Sequence, residues 1–180
     1  MRSYLLEEVA EQTTVYVLEY PGFGDRPGKP SLQNINQAAL DAYRWIQAEH
    51  PELPIGLIGE SIGSGPASYL GTVSPAPDKI ALLVPYDQLY RVAAKHMPML
   101  PVKWLLRDKW DNITTLRDYA GPIEVYAAED DEVIPVERAK ALAAALPQAR
   151  LILMPGGHDS WRLDETITLP LPTNLAPSAD

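Results

Sequence analysis

Cysteine is absent from the 180-residue chain, which excludes disulfide frameworks, thiolate zinc sites and cysteine nucleophiles. A reducing cytosol fits that absence. Basic residues are in deficit, with 15 Lys and Arg against 24 Asp and Glu and a formal net charge of −9. Nucleic-acid binders need phosphate-neutralising basic patches, so this balance argues against a nucleic-acid partner. It equally disfavours attraction to an anionic membrane surface. No apolar run is long enough to span a bilayer, and Glu7, Glu8 and Glu11 stand where a secretory leader would need one. There are only three histidines, none paired at metal-ligand spacing, and no phosphate-cradling P-loop. Neither a metal nor a cofactor is therefore expected.

What is present is the composition of an ordinary globular domain: 46% hydrophobic and 22% charged residues, enough for one sizeable core. The 18 prolines are dispersed, which marks many loop boundaries rather than a proline-rich linker. Residues 2–12 read as a helix and 15–18 (VYVL) as a strand, followed by a Gly/Pro-rich loop over 20–30. Ser31 is a plausible N-cap for a helix in which Leu32, Ile35, Ala39, Ala42 and Ile46 recur at helical spacing, up to Pro51. Further strands are expected at 55–58, 80–84, 123–127 and 151–154. Helices are expected from Ile62 to about Gly71 and over 136–146. Such alternation implies an α/β fold, with parallel strands and crossover helices on both faces. Residues 1–168 read as one domain. A small helical excursion over 86–119 interrupts the rhythm, and 169–180 read as an unstructured tail.

The sharpest chemical signal is Gly59-Glu60-Ser61-Ile62-Gly63, a G-x-S-x-G between an apolar strand and a helix of small residues. A serine on a sharp strand-to-helix turn holds a strained backbone, and flanking glycines remove the Cβ clashes that would forbid it. The N–H of Ile62 then faces the position where an oxyanion would form. A serine nucleophile needs a general base. His50 ends a surface helix and His96 sits among apolar residues. His158, in Gly156-Gly157-His158-Asp159, directly follows the last strand, where parallel sheets place catalysis. The base needs an acid, and Glu129, Asp130, Asp131 and Glu132 follow the preceding strand. Asp131, four residues before Pro135, is the leading candidate and Asp87 the reserve. The chain order Ser61, Asp131, His158 is nucleophile, acid, base.

These residues resemble the α/β-hydrolase superfamily, in particular its uncapped or lightly capped branch of prolyl-oligopeptidase-like and depalmitoylase-like serine hydrolases. The matching pieces are Tyr20-Pro21-Gly22-Phe23-Gly24, the 59–65 segment, Asp131-Glu132-Val133-Ile134-Pro135 and Gly156-Gly157-His158-Asp159. The resemblance implies an α/β-hydrolase-type three-layer sandwich with a mostly parallel sheet, lacking the family's N-terminal strands. It implies Ser61 as nucleophile, His158 as base, Asp131 as acid and Ile62 as one oxyanion donor. It also implies cleavage of an ester or thioester in a small-molecule or lipid-like acyl substrate. Weak turnover is expected, because the family's second oxyanion loop would precede Met1. The region 97–110 is a candidate acyl-site lining, with simple packing onto the sheet as the alternative. The competing class is a non-catalytic or incomplete module with a vestigial triad. Acyl specificity and oligomeric state stay open.

Overall fold

A computed structural model describes Val9, residues 13–164 and residues 166–168. Apart from Val9, the helix expected over 2–12 lies outside the described residues, as does the tail 169–180. Helix α1 runs over Leu32–Glu49, and its start is set as expected: the Ser31 hydroxyl accepts from the Asn34 N–H at 3.2 Å. Strand β1 (Gly56–Glu60) leads through a single 3-10 turn (Ser61–Gly63) into α2 (Ser64–Leu70). After β2 (Lys79–Leu83) the excursion resolves into α3 (Leu89–His96), α4 (Val102–Leu105) and α5 (Asn112–Leu116). The chain then forms β3 (Ile123–Ala128), α6 (Val136–Ala145) and β4 (Ala149–Met154).

The four strands form one parallel sheet in the order β1-β2-β3-β4. Its central strands are short and mostly apolar because both faces are covered: every residue of β2 is buried, including Lys79 at its start. Alternation then sorts side chains to the two sides. Ile80, Leu82, Ile123, Val125 and Ala127 pack with Ala67 of α2, Leu116 of α5, and Ala139 and Leu142 of α6. Ala81, Leu83, Tyr126, Ala128 and Met154 face the other way and are covered by Trp161, Leu163 and Ile167. Ile167 also bridges Val9, and the Lys79 ammonium, paired with Glu124 at 2.7 Å, donates to the Thr168 carbonyl. These polar contacts tie Ile167 and Thr168 to the rest of the structure.

One expected strand does not form. Residues 15–18 pair with no strand among the described residues, and Val15, Tyr16 and Val17 are exposed. A β-branched run has strand propensity, but a strand exists only as part of a ladder, and none is offered here. Leu18 alone turns inward, against the cluster of Ala39, Leu40, Tyr43 and Leu70.

Candidate active site

Three carboxyl-terminal strand ends meet at the site, and each contributes one side chain. At the end of β1, Ser61 adopts φ +52°, the left-handed region that a residue with a Cβ rarely enters. The turn is tight enough that Gly59 has no room for a side chain. A Cβ there would stand 2.6 Å from the Ala67 Cβ and 2.7 Å from the Gly63 carbonyl oxygen. Glycine at 59 thus lets α2 pack directly against β1, and that close packing holds the serine at the tip.

After β4, Gly156 takes φ +102°, and a Cβ on it would collide with the Ser160 carbonyl. This reversal swings His158 back over the sheet end. The Ser61 hydroxyl lies 2.9 Å from His158 Nε2. After β3, Asp131 Oδ2 lies 2.8 Å from His158 Nδ1, while its Oδ1 accepts from the backbone N–H groups of Val133 (2.9 Å) and Ile134 (2.7 Å). The carboxylate is buried and the imidazole nearly so. An ionised carboxylate only accepts, so the Asp131 contact puts the neutral ring's proton on Nδ1. Nε2 is then left as the acceptor facing the Ser61 O–H. Acid loop and base loop are joined by the Asp130 N–H, which donates to the Gly156 carbonyl at 3.1 Å.

The other sequence candidates lie elsewhere. Among the carboxylates, Asp87 is fully buried but holds Arg91 (2.9 Å) and Arg138 (3.2 Å) rather than a histidine. Glu129, Asp130 and Glu132 are solvent-exposed. His50 Nε2 meets the Tyr16 hydroxyl at 2.7 Å, and His96 Nε2 meets the Val133 carbonyl at 2.8 Å. Ile62 follows Ser61 inside the turn, and its carbonyl accepts from the Ser64 N–H.

Sequence reasoning missed the support beneath the turn. The buried Ser64 hydroxyl donates to the Ser61 carbonyl at 2.7 Å and accepts from Asn112 Nδ2 at 3.1 Å. That amide also donates to the Tyr86 carbonyl at 2.9 Å. Asn112 comes from the excursion, 48 residues from Ser64, and only the wider spacing rules of a known tertiary fold would have pointed to it. Tyr20, from the glycine-rich loop, packs with Ile62 and Tyr86 over the turn, and burial pushes its phenol up to about 12.

No family model matches the chain. Among solved structures it is similar to the Pyrococcus furiosus esterase Pf2001, with a TM-score of 0.60, 18% identity, and coverage of 78% of this chain and 61% of that one. An alpha-beta serine hydrolase homologue from Coxiella burnetii superposes with a TM-score of 0.58 at 18% identity, covering 77% and 58%. The chain has the α/β-hydrolase fold. By sequence, it is 33% identical over 154 residues to an uncharacterized protein of Mycobacterium tuberculosis, covering 83% of this chain and 54% of that protein. It is 28% identical over 180 residues to human protein ABHD12B, covering 86% and 49%. It is 27% identical over 154 residues to the lysophosphatidylserine lipase ABHD12 of Macaca fascicularis, covering 76% and 38%. The chain thus spans about half the length, or less, of the curated relatives it matches. Among the described residues, no helix is long and apolar enough to cross a membrane.

Proposed function

We propose that this α/β-hydrolase is a serine hydrolase that cleaves an acyl ester or thioester through an acyl-enzyme on Ser61. The observation that carries the reading is the continuous hydrogen-bonded line from the Ser61 hydroxyl through His158 to the buried Asp131, set on a strained strand-to-helix turn. In the first half-reaction, His158 Nε2 takes the Ser61 proton as the oxygen attacks the acyl carbon. Asp131 stabilises the imidazolium and keeps it oriented. The Ile62 N–H donates to the oxyanion, where each such donor is worth about 10²–10³ in rate. His158 then returns the proton to the leaving group. In the second half-reaction water repeats the sequence and releases the acid.

The similarity to proteins named lysophosphatidylserine lipases supports a lipid-like acyl substrate. The test is turnover of p-nitrophenyl acyl esters of graded chain length by the wild type and by Ser61→Ala. Loss of hydrolysis to the uncatalysed level in the variant supports the reading. Undiminished hydrolysis would make the activity adventitious, and a wild type without turnover would favour the non-catalytic module.

A further inference from the structure

The excursion between β2 and β3 carries a surface that the chemistry above does not use. Over residues 89–110 it holds five of the chain's fifteen basic residues, Arg91, Lys95, Lys103, Arg107 and Lys109, against one carboxylate, Asp108. Asp108 is turned inward, accepting from the Leu32 N–H at 2.8 Å. Arg91 is committed to Asp87, but Lys103, Arg107 and Lys109 have no ion pair among the described residues.

The same stretch buries Trp110 but exposes several other large apolar side chains. Met99 is 94% exposed, Trp104 84% and Leu105 61%, with Met97 and Leu100 beside them. In α4 the inward anchor is Val102, 5% exposed. At about 100° per residue, position 104 points almost directly away from it, with 103 and 105 on its flanks. Trp104 is thus presented outward between a cation and a leucine. Lys103 also lies over the Tyr90 ring at 5.7 Å, and an open cleft beside it is lined by Gln88, Tyr90, Lys103, Trp104, Lys109 and Trp110, with Asp111 as its one carboxylate, engaged by the Gln88 amide at 2.6 Å.

A short stretch of exposed apolar side chains that includes a tryptophan flanked by lysines has the composition of a lipid-interface contact. A protein interface core, by contrast, is depleted in lysine. We propose that this excursion docks the molecule on an anionic bilayer surface, with Met99, Trp104 and Leu105 entering the headgroup layer and Lys103, Arg107 and Lys109 meeting lipid phosphates and carboxylates. The whole-chain charge of −9 does not forbid this, because charges beyond about 10 Å are screened at physiological salt and the local sign decides. Docking here also orients the site. Lys95 and His96, at the end of α3, hydrogen-bond the carbonyls of Glu132 and Val133 in the loop that carries Asp131. The end of α3, which leads into the exposed stretch, is thereby tied to the loop that carries Asp131.

The proposal does not rest on the serine chemistry, so vesicle binding by Ser61→Ala should equal that of the wild type. The test is flotation with vesicles of phosphatidylcholine alone and of phosphatidylcholine with about one third phosphatidylserine, at about 0.1 M salt. Binding to the anionic vesicles is expected to be at least about ten-fold tighter and to fall steeply with added salt. Lys103→Ala and Lys109→Ala should each weaken it by about five-fold. Trp104→Ala, at a side chain that packs on little, should weaken binding while leaving the Tm unchanged. Equal binding to both vesicle types, or unchanged binding by Trp104→Ala, overturns the proposal. So does self-association without lipid that Trp104→Ala abolishes, which would assign the face to a second copy of the chain.

Discussion

Replacing Asp131 by asparagine separates the charge of the acid from its shape, and the structure fixes which way the amide must turn. Asp131 Oδ1 accepts two backbone N–H groups, from Val133 and Ile134, at 2.9 and 2.7 Å. The asparagine oxygen must take that place, because its NH2 would face two donors there. The NH2 then points at His158 Nδ1, now 2.8 Å from Asp131 Oδ2. An amide N–H can only donate, so Nδ1 must become the acceptor and the ring proton moves to Nε2. His158 would then donate toward Ser61 instead of accepting its proton. Geometry is preserved and the tautomer is wrong, a change that lowers kcat by about 10⁴ in serine-triad enzymes, or about 5.4 kcal/mol at 1.36 kcal/mol per decade. The two backbone hydrogen bonds survive, so thermal stability should change little. The assay is kcat with a p-nitrophenyl acyl ester, alongside a melting curve. A loss smaller than about ten-fold in a normally folded variant would refute the tautomer reasoning and remove Asp131 from the mechanism.

Gly59→Ala should destabilise by about 1–3 kcal/mol, since the added Cβ meets the Gly63 carbonyl and the Ala67 Cβ inside 2.8 Å. At about 2–4 °C per kcal/mol a melting curve will show it, and an unchanged Tm would contradict the close packing of α2 on β1. Burial pushes Tyr20 up to about 12, and burial with the nearby Asp78 charge does the same for Tyr119, from the ordinary 10.0. A raised phenol favours the folded state fully below pH 10 and loses that contribution as pH climbs toward 12. Tm measured against pH should therefore begin to fall above about pH 10, and a flat profile to about pH 12 would contradict their burial.

The sheet and the site were legible from the sequence to different depths. Four of the five expected strands form within two residues of their expected bounds, because each is a short apolar run closed by turn residues. The fifth, over 15–18, has the same composition but no strand partner among the described residues, and pairing is a tertiary fact that propensity does not carry. Ser61, Asp131 and His158, which the structure brings together, each sit just beyond a strand end, and chain order points to them with the glycines beside Ser61 and His158 and Pro135 after Asp131. Ser64 and Asn112 could not be, since their hydrogen bond joins two buried polar residues 48 positions apart with no periodic signature. Within the excursion, the sequence of residues 97–110 allows either acyl-site lining or simple packing onto the sheet. The structure divides it, with Val102 and Trp110 buried and Met99, Trp104 and Leu105 turned outward. Composition alone holds no sign of that division.

The central claim is that Ser61 is a nucleophile activated by the His158 ring 2.9 Å away. Its most direct measurement is the intact mass of the protein after a fluorophosphonate probe, followed by peptide mapping of the adduct. The account predicts a single adduct on Ser61 that forms in the wild type, is absent from Ser61→Ala and is strongly slowed in His158→Ala. Labelling that falls elsewhere, or that proceeds on Ser61 at the same rate without the imidazole, would contradict it.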